Sequence, residues 1–479
     1  MNTVPRMKAP KGLPATPPRF LLKMILAMNA PLPEPPVRFE KPDNWDSISM
    51  EERRKLRIEH WKSGSGVEFV NAAAKERYQD RVNLLADAID INKKPARVPV
   101  ATFPGVYPLR RVGMTPKDLF YDRFEDSALA HIQYHLDMDT DFNHSNTMFS
   151  GPALDTLGFK VFEWPGGSLP AERSYQFNEF EFMKAEEYDD FLNDPSDAML
   201  RKFMPRMFSN LEGLREFPQF SSGYLGFPNL YQPFGTPAVK KALRLLVKAG
   251  EQFIQTLPAN QRMIDGPTVL GFPSFYGIVS LAPFDALSDV LRSTRGIMKD
   301  MYRHPDKVIA ACDKFVKIIV QNQLLTFGSS PLAFIPLHKG ADRFMSEEQF
   351  ETFYWPSLKK VMLALAEDGY IPMPFAEGSY NKRLKYIADF PANACVWHFD
   401  QTDMVKASKA LENTCAITGN VPASITTTGT PETMTAYCKD LIESVGPTGN
   451  FILNNGCQID EGKDENIKAM IESVKKFVV

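Results

Sequence analysis

Cysteine is scarce in this 479-residue chain. There are five, Cys312, Cys395, Cys415, Cys438 and Cys457, and no two form a C-x-x-C pair. An odd, dispersed set argues against a disulfide framework and fits a reducing cytoplasm. It also excludes a zinc ribbon or a cysteine-held iron–sulfur cluster, whose ligands stand closer together. A dominant charge is missing as well. Lys and Arg number 55 against 58 Asp and Glu, a net charge of −3, so nothing marks a nucleic-acid binder. No uninterrupted apolar run approaches the roughly 20 residues of a membrane span. The start MNTVPRMKAPKGLPATPPRF is basic and proline-rich and lacks the apolar stretch of a secretory signal. No G-x-G-x-x-G turn opens a dinucleotide site.

What is present is ordinary globular material, 44% hydrophobic and 24% charged. Residues 1–95 read as an extension. Its first 36 residues are proline-rich, with a short amphipathic helix over FLLKMILAM. Two charged helices follow, SMEERRKLRIEHWKSGSG and VEFVNAAAKERYQDRVNLLADAID. Val98, Val100 and Phe103 give a first strand, and residues 96–479 read as one domain. Its second half alternates regularly. Strand 331–336 leads to the helix EEQFETFYWPSLKKVMLALAEDG, then strand YIPMPFAEG, helix YNKRLKYIADF, strand ACVWHFD, helix DMVKASKAL, strand CAITGNV, helix PETMTAYCKDLIESV, strand FILNNG and a last helix. Such a succession implies a parallel sheet with right-handed crossovers, and so many units in a row favour a (β/α)8 barrel over a doubly wound sheet.

In that fold the C-terminal ends of strands line the active-site mouth. Glu377, His398, Asp400, Asn420 and Cys457 fall at such positions. His338 and Asp342, with Lys339, follow another strand end and are expected to orient substrate or carry protons. Asn143 and His144 sit in a polar loop expected near the site, as weaker candidates for cofactor contact. The run Asp137, Asp139, Asp141 resembles the start of a calcium loop but lacks its glycine and terminal glutamate. Each candidate has a plain structural alternative. Cys457 is also a small apolar residue, His398 a core histidine, Glu377 a helix cap or a partner of Arg383, and His338, Lys339 and Asp342 a loop ion-pair cluster.

The segments HFDQTDMVKASKALENTCAITGNVPASITTTGTPE and FILNNGCQIDEGKDENIKAM resemble the uroporphyrinogen decarboxylase superfamily, above all its cobalamin-dependent methyltransferase branch. The resemblance covers roughly residues 330–479, with a weaker echo in PFDALSDVLRSTRGIMKDMYRHPDKV. FKVFEWPGGSLP and YQFNEFEFMKAEEYDDFLNDP resemble large members found with anaerobic O-demethylase systems. Two departures narrow what this implies. The porphyrin-holding Arg-Gln-Ala-Gly-Arg-Tyr segment is replaced by ATFPGVYPLRRVGM. The His-x-Cys-Gly of thiol methyltransferases is replaced by Phe375-Ala376-Glu377-Gly378, while their later cysteine matches Cys457.

The resemblance therefore implies a methyltransferase that moves a methyl group from a small methylated aromatic donor to a corrinoid carried on a partner protein. Glu377, His398 and Cys457 are donor types that zinc accepts, and they are expected as a zinc set that polarises the ether oxygen. Phe375, Trp397, Tyr380 and Phe399 are expected to surround a flat substrate. A decarboxylase and a non-catalytic partner of the corrinoid protein are the alternatives. Nucleic acid and membrane are not expected partners, and the oligomeric state, a homodimer included, stays open. The loops at 140–175 and 335–345 are expected to shape the mouth.

Overall fold

Six short apolar runs pair side by side as parallel strands: Ile278–Val279, Leu332–Leu337, Ile371–Ala376, Val396–Phe399, Ala416–Val421 and Phe451–Asn455. Both faces of each are mostly buried, which is why they read as continuous apolar runs rather than alternating ones. Two further staves close the ring in this computed structural model, which describes residues 39–144, 149–322 and 328–477. The Ala101 amide donates to the Leu453 carbonyl and the Leu453 amide to that of Pro99, while the Asp141 amide donates to Val100. The Asn143 amide donates to Pro273, and the Phe275 amide returns to Asn143. The Gly277 amide then reaches Leu332. The fold is a (β/α)8 barrel, as expected.

The first stave pairs over a shorter length than Val98, Val100 and Phe103 suggested. Pro99 and Pro104 lack an amide hydrogen, so the ladder is held mainly around Val100. The Asp141 carboxylate accepts the Val100 amide at 2.8 Å and the Arg97 guanidinium at 2.6 and 2.7 Å, fastening the closing edge. The aspartates of the calcium-like run are thus spent on arginines, Asp139 on Arg81 and Asp137 on Arg111.

Helices Met50–Ser63 and Ala72–Ala88 of the extension plug the N-terminal end of the barrel. Tyr78, Val82 and Leu85 share one apolar cluster with Leu332, Ile371, Val396 and Ala416. The FLLKMILAM segment lies outside the described residues. The helix expected over YNKRLKYIADF shrinks to Leu384–Ala388. Its first residues are held as a loop instead, because Asp342 accepts from the Ser379 hydroxyl at 3.0 Å and the Lys382 amide at 3.2 Å.

Between the second and third staves the chain makes a long excursion that the sequence pattern did not separate from the barrel. It contains helices Gly151–Leu157, Pro237–Ile254 and Leu257–Val269 and a hairpin that pairs Phe162–Glu163 with Gln176–Phe177. The hairpin turns through EWPGGSLP. A buried ion pair helps dock this region: Arg292 and Asp300 meet at 2.5 and 3.1 Å, and Tyr188 donates to Asp300 at 2.8 Å. No helix among the described residues is long and apolar enough to cross a membrane.

Candidate active site at the barrel mouth

His338 follows the Leu332–Leu337 strand and stands at the C-terminal rim. Its place is fixed from below. The buried carboxylate of Asp285 accepts the backbone amides of His338 at 2.9 Å and Lys339 at 3.0 Å, and the Tyr354 hydroxyl at 2.7 Å. One helical turn later Asp289 binds the side chains that this loop presents. Its Oδ2 lies 2.5 Å from His338 Nδ1 and its Oδ1 3.2 Å from Lys339 Nζ. The other imidazole nitrogen, Nε2, is 3.9 Å from Glu377 Oε1 at the next strand end. The ring is therefore gripped on one side and presented on the other, with 39% of its side chain exposed.

Electrostatics follow from this arrangement. Burial works against charge on His338, but the Asp289 hydrogen bond and the fields of Asp285 and Glu377 outweigh it and push the imidazole up to about 9. It is an imidazolium at neutral pH, with an N–H directed from Nε2. Burial pushes the Asp285 carboxyl up to about 6, with the positive His338 opposing. Asp289 moves down, because its bonds to His338 and Lys339 outweigh burial. Burial raises Glu377, and His338 pulls it back in part.

Asp400 and Cys457 complete the rim. The Asp400 carboxylate accepts the Gly378 amide at 2.9 Å, which ties the loops after two neighbouring strands together. The backbone at Gly456 runs so close to Asp400 that an added Cβ would stand 3.0 Å from its carbonyl and carboxylate oxygens. Only glycine fits there without displacement, so Cys457 follows a tight point of the rim. Burial raises the Cys457 thiol and Asp400 raises it further, so it is held as a thiol.

The expected zinc set is not assembled. His398 is fully buried inside the barrel, 4.7 Å from Phe375 by ring centroids, and its Nε2 donates to the Asn455 carbonyl at 2.7 Å. Burial depresses its basicity to about 4. Glu377 faces His338 instead. Among the described residues no three His, Cys, Asp or Glu side chains are grouped to hold a metal. Glu377, His398 and Cys457 thus do not fit a zinc ion.

Other expected residues are occupied elsewhere. Asp342 is tied into the 379–383 loop rather than pointing at the mouth, with buried Arg383 3.5 Å away. Arg383 donates to the Gly340 and Met345 carbonyls and so does not pair with Glu377. The Asn420 amide donates to the Thr402 carbonyl at 2.9 Å and accepts from Tyr437 at 3.1 Å, which locks it into the wall. Asn143 donates to the Ile264 carbonyl at 2.9 Å and anchors the excursion. His144 is buried and stacks on Phe103 at 3.9 Å.

Below the rim lies an aromatic floor. Phe334 stacks on Phe375 at 5.7 Å and on Tyr276 at 5.1 Å, and Phe103 meets both Phe334 and Phe375 edge-on. Of the four aromatics expected around a substrate, only Phe375 belongs here. Trp397, Phe399 and Tyr380 lie in the outer cluster between strands and helices. For Trp397 and Phe399 the two-residue alternation of a strand requires this once His398 points inward. From the side of the mouth, the hairpin brings Tyr175 into the field of Glu377 and Asp460, and Ser174 donates to Asp460 at 2.8 Å.

Sequence reasoning missed Asp285, Asp289, Phe103, Phe334 and Tyr276. A signal for the first two was present, since Asp285 and Asp289 are four residues apart and share one helical face.

Comparison with known proteins agrees with this architecture. Residues 276–477 match the family model for uroporphyrinogen decarboxylase (URO-D). Among solved structures, a methyltransferase from Methanosarcina mazei shares the fold at 15% sequence identity and a TM-score of 0.50, over 83% of this chain and 98% of that one. No curated protein matches the sequence.

Proposed function

We propose that this chain is the methyltransferase component of a corrinoid-dependent demethylation system, and that it moves a methyl group from an aryl methyl ether to the Co(I) centre of a corrinoid protein. The observation that carries the reading is His338. It stands as a clamped imidazolium, with Nε2 open at a strand end above a floor of aromatic rings. The matched family region and the methyltransferase with the same fold support the class.

An unactivated ether is a poor electrophile because its leaving group is an aryl oxide. The Co(I) acceptor supplies the nucleophile and its electron pair. One proton must reach the ether oxygen as the carbon–oxygen bond breaks, so that a phenol departs. His338 Nε2–H is placed to give it, and Asp289 steadies the ring through the transfer. Glu377 beside Nε2 is the group that returns the proton from bulk water. Phe334, Phe375 and Phe103 hold the substrate ring flat and turn the methyl carbon toward the open side of the barrel. Acid catalysis from a histidine takes the place of the metal expected from the sequence.

The test combines the chain, a corrinoid protein reduced to Co(I) and a series of methoxylated phenols, and follows the change in cobalt absorbance on methylation. Transfer that needs the chain and the ether supports the reading. Corrinoid-independent release of CO2 from an acid substrate would replace it with a decarboxylase.

A further inference from the structure

The inner wall of the barrel carries polar atoms for which the protein supplies no partner. His398 and Thr418 face each other in register on adjacent strands, and both are fully buried. His398 Nδ1 and Thr418 Oγ1 each lack a hydrogen bond, and neither satisfies the other. Thr418 is in turn the register partner of Ile452, and Asn454 lies two residues further along the same face. Asn454 Nδ2 is also unpaired and buried, as are both ring nitrogens of His144. Native proteins leave few buried polar atoms unpaired, because each one costs its hydration. Several of them face one inner wall, where a bound polar group would satisfy them together.

The chemistry of these atoms restricts the partner. His398 Nε2 faces a carbonyl oxygen, which can only accept, so Nε2 carries the proton. The ring is buried without a bonded carboxylate, stays neutral, and leaves Nδ1 as a bare acceptor. Asn454 Oδ1 already accepts the Asn455 amide at 2.8 Å, so its free Nδ2 is a donor. Thr418 Oγ1 can do either. The partner must donate to one atom and accept from another. A carboxylate or an ether oxygen cannot donate, and an ammonium cannot accept. A hydroxyl does both, as water does, and a ligand hydroxyl would take the place of a water here. Phe375 lies 4.7 Å and Phe103 6.4 Å from the His398 ring, so aromatic side chains adjoin these polar atoms.

We infer that this wall is a slot that reads a phenol-type hydroxyl, which donates to His398 Nδ1 and accepts from Thr418 Oγ1. The inference deepens the reading of the substrate as an aryl ether by naming its second polar group. Binding of plain phenol tests it without any methyl transfer.

Calorimetric titration with phenol and with its apolar isostere toluene is the measurement. Phenol is expected to bind at least about tenfold more tightly, because the slot keeps its unpaired groups when toluene binds. In protein labelled with 15N at histidine, the Nδ1 resonance of His398 is expected to move upfield with phenol and not with toluene. Thr418→Val should cut the phenol preference several-fold, leave toluene binding in place and not lower the melting temperature. His398→Gln, checked for folding by circular dichroism, should abolish the Nδ1 signal and the preference together. Equal affinity for the two ligands, binding of neither, or a preference that survives both substitutions would overturn the slot. Methyl transfer from methoxybenzene, which has no hydroxyl, judges the methyltransferase reading separately. It can succeed while the slot fails, and phenol can bind as expected while transfer fails.

Discussion

His338 Nδ1 lies 2.5 Å from Asp289 Oδ2, and that contact sets the proton inventory of the mouth. With Nδ1 committed to a carboxylate, only Nε2 is available to a substrate. Replacing the ring by glutamine keeps a polar group but removes the transferable proton. His338→Gln is expected to lower the rate of methyl transfer by about 10²- to 10⁴-fold, the usual contribution of a positioned acid. Its melting temperature should fall only modestly, because Lys339 still pairs with Asp289. A stopped-flow trace of cobalt methylation beside a thermal scan checks both.

The pH dependence follows from the same pair. His338 is raised to about 9, so its charge, and the stabilisation that comes with it, is complete below the ordinary histidine value and is lost as pH rises through about 9. Asp289 is lowered, so its contribution is present above the ordinary carboxylate range and is lost as pH falls through its own depressed value. The rate should stay level through neutrality and fall on the alkaline side near pH 9. In Asp289→Asn the alkaline limb should retreat toward the ordinary histidine range, about 6.5. A pH–rate profile of both proteins measures the displacement.

Metal content distinguishes the structure from the sequence expectation. A zinc ligand set of Glu377, His398 and Cys457 would require His398 to give up the Asn455 carbonyl. His398→Gln is therefore expected to leave the zinc content of the purified protein unchanged, as read by elemental analysis. Loss of stoichiometric zinc in that variant would restore the sequence expectation.

Asp300 tests the docking of the excursion. Its carboxylate is buried against Arg292 and Tyr188. Asp300→Ala would strand a buried guanidinium, which costs about 3–5 kcal/mol. Denaturant unfolding should show that loss, while the His338–Asp289 contact persists in whatever fraction stays folded.

The barrel and part of its rim were legible from the order of strands and helices alone. His338 and Glu377 could be placed because each directly follows an apolar run, and a parallel barrel sends such residues to one end. Asp285 and Asp289 share a helical face in the sequence, but nothing there ties that face to His338. They follow a strand with a two-residue ladder, too short to leave a pattern, and their partners lie some fifty residues on in a different loop. His398 was misjudged for another reason. Its position on a strand shows which face it occupies but not its depth, and two residues of depth separate an inner wall from an open rim. Trp397 and Phe399 were assigned to the mouth although alternation with His398 sends them outward.

The hairpin that carries Ser174 and Tyr175 is built from the excursion, not from the barrel strands, yet it is pinned to Asp460 in the loop after the last one. His338, the aromatic floor and the inner wall thus lie on stretches that also hold the barrel together, whereas the roof comes from the excursion and packs its Trp164 against Leu119 and Phe120. The two can diverge at different rates. Exchange of the roof would alter which molecules gain access without touching His338 or Asp289, so access can change through one continuous block of sequence.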